Sequence, residues 1–257
     1  MRRAEISILR RWIAAAAVAV IVPLTLGASS YLFQSELARP PLRIPSNVAW
    51  TDETVALASN GDGLRGLLIA RRCDHCHGNE GFSSNPPVPN LAAMDRLSTW
   101  KQLQDFRAGK RSSPMMQMIA SVLSTKEEAD LAAYYSMLPN VADPQDNRIF
   151  PQRPPDSASA NAAAQLVTLG DGARGIPPCQ SCHGPAGSVR GAPTLATQNS
   201  AYILSQLEAF ASGARSNDIN VRMRTIAVQL TEAERHSVAD YYGAGLGILP
   251  AGAATHK

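Results

Sequence analysis

Residues 61–78 read GDGLRGLLIARRCDHCHG, and residues 170–184 read GDGARGIPPCQSCHG. Both open on Gly-Asp-Gly-x-Arg-Gly and close on Cys-x-x-Cys-His-Gly. The match continues downstream in the same order. Pro89-Asn-Leu91 corresponds to Pro193-Thr-Leu195, and Gln102, Phe106, Gly109 and Arg111 correspond to Gln206, Phe210, Gly213 and Arg215. Leu123-Ser124 then matches Leu230-Thr231, and Tyr134-Tyr135 matches Tyr241-Tyr242. A period near 106 residues, the distance from Cys73 to Cys179, means two domains in tandem rather than a solenoid.

The copies read as helical. Leu64, Leu67 and Leu68 have the i, i+3, i+4 spacing of an apolar helix face ahead of the first cysteine pair. Gly109 and Gly213 stand where a glycine would terminate a preceding helix. Ser124-Thr-Lys-Glu127 and Thr231-Glu-Ala-Glu234 are capping boxes that open the last helix of each copy. No alternating strand pattern stands out. Residues 36–60 read as a tether with little structure of its own, and the Pro-, Ala-, Asp- and Ser-containing residues 139–165 as a linker.

Each Cys-x-x-Cys-His run has the form of a c-type haem attachment site. At 100° per residue, Cys73, Cys76 and His77 fall at about 0°, 300° and 40° around a helix, within one arc. Two thiols can then bind one porphyrin edge while the adjacent imidazole reaches the iron. The same holds for Cys179, Cys182 and His183. The glycine that follows in each copy leaves room for close approach of the macrocycle to the backbone. A zinc ribbon needs its cysteine pairs about 15–20 residues apart, and a thioredoxin-like site needs a βαβ setting. Disulfides do not explain a histidine after the second cysteine in both copies.

A methionine is the usual second axial ligand in electron-transfer sites. Met223 is the only methionine after His183, whereas the first copy offers Met94, Met115, Met116, Met118 and Met137. Counting back from Leu123 and Leu230 aligns Met116 with Met223 and Ala120 with Ala227, so Met116 is the expected ligand. Met115 and Met118 are then expected as core or gap-filling residues. His75, His236 and His256 are expected to be solvated, and the two Tyr pairs to pack in the cores. Pro89 and Pro193 follow the motif histidines by 12 and 10 residues, where their carbonyls could accept a bond from the second imidazole nitrogen.

The 257 residues are 45% hydrophobic, which excludes wholesale disorder. Only 5% are aromatic, so the cores leave room for bulk from another source. The net charge is +3, and residues 1–40 account for it, with Arg2, Arg3, Arg10, Arg11 and Arg39 against Glu5 and Glu36. The remainder is balanced, which argues against a nucleic-acid partner. Residues 12–35 are uncharged and long enough to cross ~30 Å of hydrocarbon. Two readings stand: a retained transmembrane helix with its basic end in the cytoplasm, or a cleaved signal peptide. Both send the rest of the chain out of the cytoplasm.

The ordered set CDHCHG and CQSCHG, PNLA and PTLA, FRAGKR and FASGAR, with the aligned methionines and a YY pair closing each copy, resembles two-domain dihaem cytochromes of the cytochrome c4 type, within class I c-type cytochromes. The resemblance covers residues 61–138 and 170–242. It implies an all-α fold of two tandem class I cytochrome c domains, each wrapped around one covalent haem c, here preceded by an N-terminal transmembrane helix. The segments expected are 1–40, basic tip plus anchor or signal peptide; 41–138, tether and first domain; 139–165, linker; and 166–257, second domain. Cys73, Cys76, Cys179 and Cys182 would hold the two haems, with His77 and Met116, and His183 and Met223, on the irons. The expected role is single-electron transfer between a quinol-oxidising complex and a terminal oxidase, with no small-molecule substrate, from haem domains in the bacterial periplasm at the inner membrane. The alternatives are an electron-accepting subunit of a periplasmic dehydrogenase and, as a haem enzyme, a dihaem peroxidase or sulfur-oxidising cytochrome. Two features depart from the family: the long uncharged N-terminus, and the short lead Ile176-Pro-Pro-Cys179, which leaves room for little helix before the second motif.

Overall fold

The computed structural model describes residues 50–139, 158–184, 189–196 and 198–244, all within one compact unit spanning residues 43–257. The expected anchor at residues 12–35, most of the linker and His256 lie outside the described residues. Among the described residues no helix is long and apolar enough to cross a membrane. They form no strand, only an isolated bridge between Asp171 and Ile176.

The first half begins with α1, Asp52–Ser59, opened by a capping box in which Thr51 accepts from the Thr54 amide and Thr54 from the Thr51 amide. This helix lies inside the stretch expected as a tether. Its buried Ala58 joins a cluster with Trp100, Ala129 and Ala132, and Trp50 sits against Trp100 with ring centroids 6.4 Å apart. The next helix, α2, spans Gly63–Ala70 and is capped by Asp62, which accepts from the Leu64 and Arg65 amides at 2.9 and 3.2 Å.

The apolar stripe of α2 points the wrong way for a core helix. Leu64 and Leu68 are 76% and 67% exposed, while Gly66 and Ala70 are buried. The reason is a close helix crossing. A Cβ at Gly66 would lie 2.1 Å from the Asp130 carbonyl oxygen, so only glycine lets the two backbones meet there. Asp130 reinforces the crossing by accepting from the Asp62 amide at 2.6 Å and from Arg65 Nε at 3.0 Å.

The single turn α3, Asp74–His77, carries the first motif. α4, Arg96–Arg107, ends at Gly109, whose φ of +67° is the left-handed stop expected of it. α5, Pro114–Ser121, starts with proline in its first turn after the Ser113 cap and bears Met116. α6, Thr125–Met137, opens on the expected capping box, with Ser124 N–H donating to Glu127 at 2.8 Å and Glu127 N–H to Ser124 at 3.2 Å. Ser124→Ala should cost about 1 kcal/mol, read as a lower denaturation midpoint with an unchanged denaturant slope.

The second half repeats this plan with one substitution of parts. Residues 172–174 form only a 3-10 turn, and the helix that packs on the last helix is instead α7, Ala158–Thr168. It begins inside the expected linker, which is therefore shorter than residues 139–165. The short Ile176-Pro-Pro-Cys179 lead leaves no room for a helix after Gly175, and the chain supplies one from upstream. The Gly-Asp-Gly-x-Arg signature nevertheless does the same job in both halves, because Arg174 reaches Glu234 at 2.6 Å as Arg65 reaches Asp130. α8, Gln180–His183, carries the second motif. α9, Ser200–Ala211, stops at Gly213 with φ +74°. α10, Arg222–Gln229, bears Met223, and α11, Glu232–Gly243, opens on the expected Thr231/Glu234 box.

Candidate functional site

One helical turn sets each motif. The amide of His77 donates to the Cys73 carbonyl at 2.9 Å, and that of His183 to the Cys179 carbonyl at 2.9 Å, which brings both cysteines and the imidazole round one arc. Cys73, Cys76, His77 and Met116 from the first half, and Cys179, Cys182, His183 and Met223 from the second, all line one cavity of about 1110 Å³. Sites for ordinary small ligands occupy roughly 300–1,000 Å³, so this volume suits something larger. Met116 packs on the buried cluster of Leu103, Leu123, Leu131 and Tyr135, and Met223 on that of Leu207, Leu230 and Tyr242. Met115 and Met118 are not core residues as expected. Each is 58% exposed, and Met115 lines the cavity beside Met116.

The imidazoles are oriented by the expected carbonyls. His77 Nδ1 lies 2.8 Å from the Pro89 carbonyl oxygen and His183 Nδ1 lies 2.7 Å from that of Pro193. A carbonyl can only accept, so Nδ1 carries the hydrogen and Nε2 keeps its lone pair for a metal. Burial lowers both imidazole pKa values, against the raising effect of the proline carbonyls, which keeps the rings neutral. Burial likewise raises the Cys73 thiol and pushes Cys179 up to about 11. Among the described residues no three His, Cys, Asp or Glu side chains converge on a metal position. The donor set therefore fits thioether attachment and not a zinc site.

Gly78 has φ +76°, and a Cβ there would meet the Phe82 carbonyl oxygen at 1.8 Å, so it serves the turn of its own chain. His75 and His236 are exposed, as expected. Tyr135 and Tyr242 are buried to 2% and 0% exposure. Tyr135 also lines the cavity.

Between the halves lies a polar cluster to which the sequence reading gave no role. Arg111 donates to Gln102 of its own half at 2.8 Å, and to Gln206 and Tyr202 of the other at 2.9 and 2.7 Å. Arg215 mirrors it, donating to its own Gln206 at 2.7 Å and to Gln102 across the interface at 3.1 Å. Each guanidinium also stacks on the phenylalanine of its own repeat, Arg111 on Phe106 and Arg215 on Phe210, at 4.7 and 4.4 Å. Gln198 and Asn90 exchange two further bonds across the interface, at 2.8 and 3.0 Å. Burial, and then the Arg111 charge, pushes Arg215 down to about 9.

These arginines line the cavity together with Lys101, whose ammonium is held by Asp105 at 2.5 Å. Two facing cations bridged by neutral amides favour an anionic group beside them. A large, mostly apolar group bearing carboxylates meets that requirement, as haem does. The signal was present in the sequence: Gln, Phe, Gly and Arg recur at the same spacing in both copies. What it lacked was any indication that the two sets face each other.

Two cysteine pairs on single turns, two oriented imidazoles with methionines on the same cavity, and a frame that is helical throughout the described residues define a c-type cytochrome with two haem sites. No family model matches the chain. A thiosulfate dehydrogenase electron acceptor from Stutzerimonas stutzeri (strain A1501) is 38% identical over 176 residues, covering 67% of this chain and 78% of that protein. A cytochrome c4 from Pseudomonas aeruginosa is 32% identical over 191 residues, covering 70% and 87%. Among solved structures, reduced recombinant cytochrome c4 from Pseudomonas stutzeri superposes with a TM-score of 0.61 at 31% identity, over 72% of this chain and 98% of that one. The thiosulfate dehydrogenase (TsdBA) from Marichromatium purpuratum gives a TM-score of 0.58 at 31% identity, over 70% of this chain and 39% of that one. The chain belongs to the cytochrome c4 family of dihaem c-type cytochromes. Its cofactors are two covalently bound haem c groups, and it is an electron-transfer cytochrome with redox proteins as partners.

Proposed function

We propose that this cytochrome relays single electrons in the periplasm from a quinol-oxidising complex to a terminal oxidase. Cys73 and Cys76 attach one haem and Cys179 and Cys182 the other, with His77 and Met116 on the first iron and His183 and Met223 on the second. The haem domains are residues 41–138 and a second domain that takes in α7 and runs to residue 257. Residues 12–35 attach the protein to the inner membrane if retained, and leave it soluble in the periplasm if cleaved.

The observation that carries this reading is the donor set. Each half offers the cavity one imidazole, fixed through Nδ1 by a proline carbonyl, and one thioether from a different helix. The haem iron supplies a one-electron ferric/ferrous couple when bound. The chain's own residues do the rest. The proline carbonyls hold the rings in one tautomer, and the methionine sulfurs would favour the reduced state. An iron with two protein ligands has no position for a substrate, which separates a carrier from a haem enzyme.

The test is a carbon monoxide difference spectrum of the reduced full-length holoprotein. No change at neutral pH is expected. Binding to about one haem per chain would mean an open iron and would overturn the carrier reading. A second reading, electron acceptor of a periplasmic dehydrogenase, draws support from the names of the Stutzerimonas relative and of the Marichromatium structure. Stopped-flow reduction by a thiosulfate dehydrogenase, compared with reduction by a quinol-oxidising complex, discriminates the two.

A further inference from the structure

The two methionine-bearing helices are tied down at the same place by different parts of the chain. A helix leaves its last carbonyls without intrahelical partners. In the first half Arg107, the last residue of α4, donates Nε to the Ala120 carbonyl at 3.2 Å and Nη2 to the Leu123 carbonyl. In the second half Arg235, on α11, donates Nη1 to the Ala227 carbonyl at 3.4 Å and to the Leu230 carbonyl at 2.5 Å. Ala120 and Ala227 are equivalent in the repeat, as are Leu123 and Leu230, so the acceptors are the same in both halves. Both alanines are fully buried.

The donors are not equivalent. The repeat of Arg107 is Ala211, and the repeat of Arg235 is Glu128. Glu128 is fully buried, its Oε1 lies 2.7 Å from Arg107 Nη2, and Gln104 donates to its other oxygen. The position that supplies the arginine in one half thus supplies the counter-ion for an arginine in the other. A positive charge at the C-terminal end of each helix also interacts favourably with the negative end of its dipole. That alone does not explain why both arginines reach the same two carbonyls from different helices.

We propose that Arg107, seated on Glu128, and Arg235 are positioning residues for the sulfur ligands, each pinning the turn that follows its methionine. Met116 lies four residues before Ala120 and Met223 four before Ala227, about one turn in each helix. A helix free to shift at that end would carry its thioether away from the iron. The proposal rests on the ligand set given above.

The experiment uses the full-length holoprotein and reads the sulfur-to-iron charge-transfer band of the oxidised form, with haem content and far-ultraviolet circular dichroism alongside. Arg107→Ala is expected to lose about half of the band and to let carbon monoxide bind about one haem per chain. Arg235→Ala is expected to lose the other half. The decisive variant is Arg107→Ala/Glu128→Arg, which moves the arginine to the position it occupies in the second half and is expected to restore the band. A full band in Arg107→Ala overturns the proposal. So does a band that the relocated arginine fails to restore, or haem loss in both the single and the double variant. Met116→Ala keeps the two readings apart. If it leaves the band whole, the ligand assignment has failed; if it halves the band while Arg107→Ala does not, only the positioning role has failed.

Discussion

Met116→Ala is expected to open one axial position on one haem and leave the other haem unchanged. On the proposed ligand set, the first iron keeps His77, whose ring stays fixed by the Pro89 carbonyl at 2.8 Å. It loses the thioether that favours the reduced state. Its reduction potential should fall on the order of 0.2 V, within the ~0.8 V that axial ligands span. The reduced variant should bind about one carbon monoxide per chain, and Met223→Ala should do the same at the other site. Potentiometric titration of both variants checks this: each should show one component near its original midpoint and one displaced downward. A variant in which both components stay in place would mean that its methionine is not a ligand.

Gly66→Ala is expected to be among the most damaging changes outside the haem ligands. The added methyl would sit 2.1 Å from the Asp130 carbonyl oxygen and 2.7 Å from Tyr134 Cβ. Backbone cannot swing aside as the end of a flexible side chain can, so α2 must move off α6. That movement breaks the bonds Asp130 makes to the Asp62 amide and Arg65, at 2.6 and 3.0 Å. Overpacking of this kind costs about 3 kcal/mol, and the loss should appear as an earlier first transition in denaturant. Gly172→Ala is the control. A Cβ there meets nothing within 4 Å, and the change should stay within about 0.5 kcal/mol. Equal effects of the two substitutions would mean that the crossing at Gly66 does not limit stability.

The cysteines, histidines and aligned methionines that spacing singled out all line one cavity, and the Pro89 and Pro193 carbonyls meet the two imidazoles, because thioether attachment and axial ligation would demand fixed residue types at fixed intervals. Packing was less legible. The Leu64, Leu67 and Leu68 spacing identified a helix but not which face it buries. Apolar periodicity assumes that bulk goes inside, whereas a close crossing at Gly66 selects the small residues. The helices Asp52–Ser59 and Ala158–Thr168 were hidden for a related reason. They bury little, Ala58 in the first and Ala163, Leu166 and Val167 in the second, and such stretches near prolines look like connecting chain. Arg107 and Arg235 escaped because a repeat aligns residues by position, and here the same contact comes from different positions.

The contacts between the halves have the pattern of a two-fold dimer. Gln102 and Arg111 meet Gln206 and Arg215, and each arginine reaches both its own glutamine and the opposite one. Each half of that surface is complementary to a copy of itself. As a free dimer it would associate poorly, because closing it brings two guanidiniums together and removes them from water. A covalent connection changes the arithmetic, since a short tether holds its two ends at an effective concentration in the millimolar range. The surface then need not be adhesive. Fusion of the halves allows the interface to keep two arginines whose charge is left for the cofactors' carboxylates to balance, a composition that two separate chains could not readily sustain.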